Sequence, residues 1–500
     1  MDKHVIIIGS GLGGLTCGYI LAKNGYRVCI MEKNTQIGGC LQTFTRHGIK
    51  YETGMHYIGS IEEGQILHRF FHYLSLLPDV KLRPLNTKAY DIVSIAGQRF
   101  SFANEKEDFI QTLAQDFPQE VEDIRRYYKV IGDVANDSPL YSFRYKDSLT
   151  LLNPLYVKRS ASEFLSEITA NPLLQQVLAA NLPLYAGVPC KTPLYIHALI
   201  RDFYHKSTCR IVGGSDAIAR SLACSIRSMG GEIHPRAEVS TINCNDVQAT
   251  SVTLKSGEEI SGDYFISNIH PQRTLGLLCT PLIRKSYRER IMGLKNTISS
   301  FTVYIQFKKD RVLYFNSNLY HYNTNDVWNC THYTEADWPK NFMYMHLCSS
   351  ANQQYADAGI VFAYMDFRDV ARWKGTPVGR RGEAYETFKQ QKAERLLDEL
   401  KKQMPDVRDN IERYYTSTPL TYLDYTGTED GSMYGILRDC TEPMQTVVSQ
   451  RTKISNLFQV GQNINSHGIL GVIIGSIITS GEFVGVNTIM QQIKNSYCNG

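Results

Sequence analysis

The sequence predicts an α/β fold in which helices cover a parallel sheet and an antiparallel region is inserted between its parts. Three observations carry this prediction. An apolar run at 5–8 leads into a glycine-rich turn, a second strand at 27–33 follows one helical stretch, and residues 299–364 alternate apolar with polar side chains. Runs rich in β-branched residues are typical of buried parallel strands, whereas alternation is typical of antiparallel ones.

The turn after the first strand has the spacing of a dinucleotide-binding fingerprint. Gly9 allows a tight turn, Gly11 lets the backbone approach a pyrophosphate, and Gly14 lets the helix close on the strand. Leu12 lies in the first turn of that helix, whose unpaired amides and positive partial charge favour phosphate groups. Glycine-rich turns also occur without a phosphate, but here strand, turn, helix, strand and acid follow one another in one βαβ unit.

An acidic residue stands at the end of the second predicted strand. Glu32 is suited to accept hydrogen bonds from a ribose diol and would repel a 2′-phosphate. Lys33 follows it, then the pair Gly38 and Gly39, and residues 47–54 come where the backbone could approach a cofactor again. This continuation resembles the FAD-binding start of the glutathione-reductase-like flavoproteins and not that of an NAD dehydrogenase.

Length and composition exclude several classes of protein. A chain of 500 residues exceeds what one hydrophobic core usually supports, so we expect two domains. The net charge of +4 and the absence of long basic runs argue against nucleic acid as a partner. The twelve cysteines are scattered without a CxxC pair, which predicts reduced thiols, no metal site and a cytoplasmic location. No uninterrupted apolar span of about 20 residues is present, so we expect no membrane-spanning helix.

The middle of the chain predicts helices and then a return to strands. Residues 100–128 are expected to form two helices, with Asn104 capping the first and Pro118 restarting the second. Residues 150–205 are rich in Leu, Tyr, Pro and Ala, which indicates a helical layer with an apolar surface. A helix is expected after 210–215, and strands then follow at 230–233, 237–242, 249–254 and 264–268.

The last third of the sequence contains the predicted antiparallel sheet and a second glycine-rich turn. An amphipathic helix is expected at 383–404, ending at Pro405. Residues 456–463 form a strand running into a turn, and 468–475 enter a helix of small residues. The positive end of that helix, beside the N1/O2 side of a flavin, would stabilise the anion that forms on reduction. The Gly471-xxx-Gly475 spacing also matches a membrane dimer motif, but Glu482 favours close packing inside a soluble fold.

Motifs spread over almost the whole chain resemble one family. The chain is similar to the carotenoid desaturase and isomerase family of flavoproteins, and within it to the retinol saturase branch. The motifs that carry the resemblance are Glu32 and the segments 9–14, 38–40, 54–59, 213–215, 418–421, 431–435 and 460–462. The segments 54–57 and 461–462 favour the saturase branch.

The resemblance implies a position for each part of FAD. It implies the pyrophosphate at Gly9, Gly11 and Gly14, the ribose at Glu32 and the adenine beside the backbone of Val239. It places the flavin end near residues of two further turns and the last glycine-rich helix, namely Gly39, Gly461, Gln462, Gly471 and Val472. Cys40 stands where many relatives have a basic residue, so Lys33 or a neighbouring amide would have to help neutralise the pyrophosphate.

The resemblance also implies how the chain is divided. It implies a discontinuous glutathione-reductase-like Rossmann domain for FAD and an inserted α+β substrate domain with an antiparallel sheet and helices. The FAD-binding segments are 1–75, 205–298 and 440–500, and the substrate-binding segments are 76–204 and 299–439.

The implied chemistry depends mainly on positioning. Hydride moves to or from flavin N5 while a polyene delocalises the developing charge, so the protein chiefly supplies a long apolar slot. The helices of 149–204 could build that slot, and an ordinary core between domains accounts for them equally well. Candidate proton donors are His56, Tyr57 and His467, each of which also suits cavity lining or a core hydrogen bond.

Several functions remain open at this point. The first is an FAD-dependent oxidoreductase that saturates or desaturates a carbon–carbon double bond of a retinol- or carotenoid-like polyene or isoprenoid lipid. Others are a carotenoid cis-trans isomerase using reduced FAD, an amine oxidase, and a lipid-binding escort protein like the GDP-dissociation inhibitors. A single fingerprint leaves NAD(P)H as a transient electron donor, with quinone or oxygen as acceptors. A substrate entrance lying on a bilayer would make the protein peripheral at the cytoplasmic face of the membrane, and the oligomeric state stays open.

Overall fold

The computed structural model describes residues 3–143 and 153–498. The beginning of the predicted helical layer at 149–152, and the chain ends included in the predicted FAD-binding segments, lie outside the described residues. The described chain contains twenty strands in five sheets and seventeen α-helices. It is therefore an α/β protein, as the sequence predicts.

The strands are distributed over almost the whole described chain. They are β1 His4–Ile8, β2 Arg27–Glu32, β3 Thr43–Arg46, β4 Ile49–Glu52, β5 Ile58–Gly59, β6 Leu82–Pro84, β7 Asp91–Ile95, β8 Gln98–Phe102, β9 Thr208–Ile211, β10 Glu232–Pro235, β11 Val239–Cys244, β12 Ala249–Leu254, β13 Glu259–Ser261, β14 Tyr264–Ser267, β15 Ser299–Phe307, β16 Asn318–Tyr322, β17 Asn341–His346, β18 Ala358–Met365, β19 Ile411–Ser417 and β20 Leu457–Gln459.

The α-helices are interspersed among these strands. They are α1 Leu12–Lys23, α2 Ile66–Tyr73, α3 Lys106–Asp116, α4 Val121–Asp137, α5 Pro154–Lys158, α6 Ala161–Ile168, α7 Pro172–Ala179, α8 Leu194–Lys206, α9 Asp216–Ser228, α10 Pro271–Gly276, α11 Lys285–Met292, α12 Glu383–Gln403, α13 Pro405–Asp409, α14 Pro419–Thr426, α15 Pro443–Thr446, α16 Gly468–Val484 and α17 Val486–Cys498.

A five-stranded parallel sheet holds the glycine-rich turn. Its order is β10-β2-β1-β14-β20, so the N-terminal strand is central and the last strand of the chain is at an edge. Helices α1, α9 and α16 cover one face of the parallel sheet. The small antiparallel sheet β11-β12-β13 lies on the other face. Because both faces are covered, the strand β1 is apolar along almost its whole length.

A seven-stranded mixed sheet forms the second region. Its order is β19-β15-β18-β17-β16-β7-β8, and every pair is antiparallel except β16 with β7. Tyr304, Tyr320 and Met345 face the core shared with helices α3 to α8, whereas Val303 and Tyr344 face the core shared with α12. The predicted antiparallel strands at 299–364 are therefore present, and both of their faces are buried.

The two sheets draw on different parts of the sequence. The parallel sheet uses strands from the three segments assigned above to FAD binding, and the mixed sheet uses strands from the two segments assigned to substrate binding. A third sheet, of three strands, connects the predicted substrate-binding segment 76–204 with the predicted FAD-binding segment 205–298. In this sheet β6 at 82–84 pairs with β9 at 208–211.

The prediction for 100–128 is correct in its two helices and wrong in their starts. Phe100 lies in β8, and α3 begins at Lys106 after Glu105. The Asn104 side chain does not cap α3; its Nδ2 donates to the Tyr204 carbonyl, and its Oδ1 accepts from the Thr208 hydroxyl. Pro118 lies before the second helix, which begins at 121. Long-range partners therefore outcompete the local cap.

The helical layer predicted from the Leu- and Tyr-rich segment is present from residue 153 onward as α5 to α8. Among the residues that the structure describes, no single helix has the length and apolar character needed to cross a membrane. The pair Gly468–Val484 and Val486–Tyr497 meets that test only when both are joined, and they are bent by 118°.

Candidate functional site

The turn between β1 and α1 is closed by backbone contacts that exclude side chains. Gly9 has a φ of +95°, and its amide donates to the Met31 carbonyl at 2.7 Å. A Cβ on Gly14 would lie 2.2 Å from the Gly9 carbonyl oxygen, and one on Gly11 would lie 2.9 Å from Nδ2 of Asn268. The turn therefore has the shape that the fingerprint predicts.

A second glycine turn lies directly against the first. Gly38 forms a parallel bridge with Gly11, and its amide donates to the Ser10 carbonyl at 3.0 Å. Gly39 has a φ of +56°, and a Cβ there would lie 3.1 Å from the Gly11 Cα. The two turns thus bring together two of the predicted cofactor-binding segments.

The Glu32 carboxylate lies beside this pair of turns. It is buried at 5% exposure and accepts hydrogen bonds from the Ser10 amide at 3.0 Å, the Ser10 hydroxyl at 2.6 Å and the Asn34 amide at 2.8 Å. A carboxylate offers about four acceptor positions, so one remains for a ribose hydroxyl. Val239 at the start of β11 lies near the same point, because the Ala237 amide donates to the Glu32 carbonyl at 2.8 Å.

Lys33 is held by another part of the chain. Its Nζ donates to the Asp424 carbonyl at 2.7 Å, and burial lowers the pKa of the lysine. The structure therefore ties Lys33 to helix α14 rather than to the glycine turns. Cys40 follows Gly39, and burial raises the pKa of its thiol to about 11, so the thiol stays protonated near pH 7.

A third glycine turn, in the C-terminal part of the chain, lies against the first one. Gly461 has a φ of +107°, and a Cβ on Gly13 would lie 3.1 Å from the Gly461 Cα. Gln462 follows in the same turn, which leads to α16 at Gly468. Helix α16 packs on α1, where the Ser476 hydroxyl lies 3.3 Å from the Gly13 carbonyl oxygen.

The start of α16 is also closely packed. A Cβ on Gly471 would lie 2.7 Å from the Ser466 Cβ, and Val472 is buried. A Cβ on Gly475 would lie 3.3 Å from Nδ2 of Asn465. Both glycines of the GxxxG spacing therefore pack within this chain. The three glycine turns and the N-terminus of α16 thus form a cradle built mainly of backbone, which fits an extended dinucleotide such as FAD.

One residue at the centre of this cradle did not stand out in the sequence. Asn268 follows β14, and its Nδ2 donates to the Gly9 carbonyl at 3.1 Å. Its Oδ1 would lie 2.5 Å from a Cβ on Gly13 and 2.8 Å from one on Gly461. The only signal in the sequence was its place at the end of a predicted parallel strand, where sites of this fold collect.

His467 precedes the first residue of α16. Its Nε2 is buried and has no hydrogen-bond partner among the described residues, and its ring lies 4.6 Å from that of Tyr434. Burial lowers the pKa of His467 to about 4, so the imidazole is neutral near pH 7.

His56 and Tyr57 have polar partners that the sequence did not reveal. His56 Nδ1 lies 3.7 Å from Oε2 of Glu52, and burial raises the pKa of that carboxyl. The Tyr57 hydroxyl lies 2.7 Å from the Tyr320 hydroxyl and 3.3 Å from Oδ2 of Asp91. The two partners of Tyr57 come from distant strands, and the spacing of Glu52 from His56 carries no chemical signal by itself.

A tyrosine packs on each of two candidates, Tyr57 and His467. The rings of Tyr57 and Tyr204 have centroids 4.5 Å apart. The ring of Tyr434 packs on that of His467, at 4.6 Å between centroids. Burial raises the pKa of Tyr434, and the Tyr204 phenol adds to this rise.

A cleft of about 710 Å³ opens beside Gly39 and Cys40. Its remaining walls come from β3, the edge of the mixed sheet, and helices α12 and α14. No residue of 153–204, the described part of the predicted helical layer, lines this cleft, and many apolar side chains of that layer are buried in the core below the mixed sheet. The aromatic residues of the lining are Phe44, Tyr304, Tyr385, Tyr414, Tyr415, Tyr422 and Tyr425.

One group of potential metal ligands lies on strands β2 and β10. The ligand atoms of Cys29, Glu232 and His234 are within 4.8 Å of one another. Glu232 already contacts both His234 and Arg27, at 3.0 and 3.4 Å, so its carboxylate is occupied by these partners.

Comparison with known proteins places this geometry in a family. The chain is 27% identical to an all-trans-retinol 13,14-reductase of Rattus norvegicus over 95% of this chain and 84% of that protein. It is 24% identical to prolycopene isomerase 2 of an Oncidium hybrid cultivar, over 95% and 83%. The fold is similar to that of an oxidoreductase from Methanosarcina mazei, with a TM-score of 0.63 and 15% identity over 95% of this chain and 99% of that one.

The family model described as flavin containing amine oxidoreductase matches residues 12–481. That range begins at the first residue of α1, just after Gly9 and Gly11, and ends in α16, so it includes the rest of the cradle and the cleft. The predicted resemblance and the predicted flavin cofactor are thereby confirmed. The chain belongs to the flavin containing amine oxidoreductase family and is a flavin-dependent oxidoreductase.

Proposed function

We propose that this protein uses FAD to saturate or desaturate one carbon–carbon double bond of a polyene or isoprenoid lipid. The observation that carries the proposal is the aromatic cleft of about 710 Å³ that opens beside Gly39 and Cys40. Its volume lies within the range of about 300–1,000 Å³ common for small-molecule sites. The retinol reductases and a diapophytoene desaturase among the relatives support the substrate class.

The cradle suggests which residues would hold the cofactor. The pyrophosphate would lie at Gly9, Gly11 and Gly14, a ribose at the free acceptor position of Glu32, and the flavin end near Gly39 and Gly461. Bound there, FAD would accept or supply hydride at its N5. The α16 N-terminus would offer positive partial charge to the flavin. The glutathione-reductase-like division into FAD-binding and substrate-binding domains is part of the same proposal.

His56 is best supported among the three candidate proton donors. Its Nδ1 lies 3.7 Å from Oε2 of the buried Glu52 carboxyl, so an acidic group faces the imidazole. His467 is neutral near pH 7, and burial holds the pKa of Tyr57 well above its ordinary value. Neither of these groups is a strong acid, although both suit positioning of a substrate.

Saturation of a retinol-like substrate is the leading direction, since retinol reductases match 95% or more of this chain. Isomerisation of a carotenoid with reduced FAD is the second candidate. It is favoured by the prolycopene isomerases, whose matches cover 95% of this chain. The two reactions differ in their electron balance, because saturation consumes electrons of the reduced flavin, whereas isomerisation consumes no electrons.

The deciding experiment is anaerobic. The FAD-loaded protein is reduced with light, all-trans-retinol or a carotenoid is added, and the absorbance of flavin and polyene is followed together. Flavin reoxidation with a blue shift of the polyene spectrum indicates saturation. A changed isomer with the flavin still reduced indicates isomerisation. If neither spectrum moves, the reducing direction or the substrate class is wrong, and desaturation by the oxidised protein is tested next.

We further propose NAD(P)H as a transient electron donor and a peripheral membrane contact at the cleft. Val378 and Tyr425 of the cleft lining are 57% and 47% exposed, and large apolar side chains at a cleft edge suit a lipid surface. Sedimentation with phosphatidylcholine vesicles tests this contact. Val378→Ser should lower the bound fraction, whereas Val247→Ser, at a 70% exposed valine outside the cleft lining, should not. Equal binding of both variants would contradict the proposed surface.

A further inference from the structure

A buried polar cluster that includes Tyr57 lies in the core of the mixed sheet. We call it the Asp91 cluster and define it as Tyr57, Asp91, Asn181, Asn318 and Tyr320. Asp91 is fully buried; its Oδ1 accepts from Asn318 Nδ2 at 2.8 Å. Its Oδ2 accepts from Asn181 Nδ2 at 2.7 Å and from the Tyr57 hydroxyl at 3.3 Å. The carboxylate thus has donors on both oxygens.

Two buried arginines fix the orientation of both amides. The Asn181 Oδ1 accepts a hydrogen bond from Arg201, and the Asn318 Oδ1 accepts one from Arg210 Nη2 at 2.9 Å. A guanidinium group only donates and a carboxylate only accepts. Each amide must therefore turn its NH₂ group toward Asp91 and its oxygen toward an arginine. Neither amide can flip without breaking two hydrogen bonds.

Asp91 is the centre of charge in this cluster. Within residues 3–143 and 153–498, neither Arg201 nor Arg210 forms a direct ion pair with a carboxylate. Burial raises the pKa of Asp91 to about 6, and the Asn318 hydrogen bond and the charge of Arg201 oppose this rise. A buried charge network of this kind costs free energy compared with an apolar core, so it is a poor device for stability alone.

The cluster leaves the Tyr57 phenol little freedom. An ionised Asp91 can only accept, so the Tyr57 O–H donates to it and the Tyr320 O–H donates to the Tyr57 oxygen. The Tyr57 ring is also packed on Tyr204, at 4.5 Å between centroids. The orientation of Tyr57 is therefore set from the side of Asp91, while its ring contacts Tyr204.

We propose that Asp91 is a positioning residue, which holds the Tyr57 phenol in one orientation against Tyr204 for the reaction. This inference rests on the proposed function for its catalytic consequence. It assigns Asp91 no contact with substrate or flavin, because the residue acts through Tyr57.

The first test reads the Tyr57 phenol directly. The FAD-loaded protein is labelled with tyrosine carrying carbon-13 at the phenol carbon, and the Tyr57 signal is identified by its loss in Tyr57→Phe. Asp91→Asn should move that signal, and so should Tyr320→Phe, which covers the case that the first variant does not fold. An unmoved Tyr57 signal in a folded Asp91→Asn protein would overturn the proposal.

Asp202→Asn is the matched control for this measurement. Asp202 is a buried aspartate that accepts from another phenol, that of Tyr141, and also pairs with Lys206. The same substitution there should move the Tyr141 signal and leave that of Tyr57 in place. A Tyr57 signal that moves equally in both variants would indicate a general loss of packing and would contradict a specific role of Asp91.

The second test is kinetic and uses a single turnover, in which photoreduced protein is mixed with all-trans-retinol and flavin reoxidation is followed. Asp91→Asn should lower the limiting rate constant of reoxidation by about 10- to 100-fold, with the retinol concentration for half the limiting rate changed less than about twofold, as expected for a misplaced group. The double variant Tyr57→Phe/Asp91→Asn should be no slower than Tyr57→Phe alone, because both changes act on one group. Losses that multiply, or a Tyr57→Phe protein as fast as the wild type, would refute the positioning role.

The two tests separate the inference from the proposed function. If the wild-type protein reacts with neither retinol nor a carotenoid, the proposed function fails. The phenol signal of Tyr57 still decides in that case whether Asp91 holds the ring.

Discussion

At the residue scale, the glycine turn shows how a missing side chain can be a binding determinant. The Gly14 Cα faces the Gly9 carbonyl oxygen so closely that a Cβ would lie 2.2 Å from it. The obstacle is backbone directly after the end of the buried strand β1, so it cannot move aside as a flexible side chain would.

Gly14→Ala should therefore weaken FAD binding at least about tenfold, an effect of about 1.4 kcal/mol or more. The measurement is the dissociation constant of FAD for the refilled apoprotein, by flavin fluorescence. Gly132→Ala is the control, because no atom lies within 4 Å of a Cβ there and the residue is inside α4. Equal affinity in the two variants would contradict the close-packed turn.

Asp91 gives a prediction for stability against pH. Folding raises its pKa from 3.8 to about 6, so the folded state binds the proton more tightly than the unfolded state. Its contribution is thus present below about pH 4 and lost as the pH rises through 6, by about 3 kcal/mol in all. Relative to Asp91→Asn, the wild type should lose this amount between pH 4 and 7 in urea unfolding. A difference that stays constant with pH would be inconsistent with a raised pKa.

At the element scale, helix starts follow tertiary contacts where these are stronger than local caps. Asn104 precedes a helix in sequence, yet its amide joins the Tyr204 carbonyl at the end of α8 to the Thr208 hydroxyl of β9. It thereby connects α8, which carries Tyr204 of the candidate site, to the neighbouring sheet.

Asn104→Ala should destabilise the protein by about 1–3 kcal/mol, since it leaves buried groups of two elements unpaired. A mere loss of a helix cap would cost about 1 kcal/mol and leave Tyr204 undisturbed. Urea unfolding measures the cost, and the carbon-13 signal of Tyr204 reports the displacement. Gln98→Ala, at an exposed position of β8, should change neither.

The contrast between local and long-range contacts also explains what the sequence could predict. The strand β1, its glycine turn, Glu32 and the helix α16 were predicted because their function depends on residues close together in the chain. Asn268 and Asp91 were not, because the groups they contact lie up to 259 and 227 positions away. Glu52 escaped notice although it is four residues from His56, since the spacing carries no chemistry until the fold brings the two side chains together.

At the scale of the whole molecule, the cradle opens toward a cleft whose other walls come from β3 and from the region of the mixed sheet. Binding of FAD to the folded state alone should stabilise the protein by about 2.7 kcal/mol at a hundredfold excess over its dissociation constant. Thermal unfolding of apoprotein with increasing FAD checks this. A melting temperature that does not rise would mean that no preformed cradle exists.

The position of Asn268 has a consequence for how the protein is made. Its carboxamide lies among glycines of the first turn and against Gly461 near the end of the chain. During synthesis the first βα unit leaves the ribosome long before residue 461 does, so the nascent chain carries an unfinished cradle for most of its translation. If FAD binds in this cradle, we expect its capture to be a late event, which follows completion of nearly the entire polypeptide.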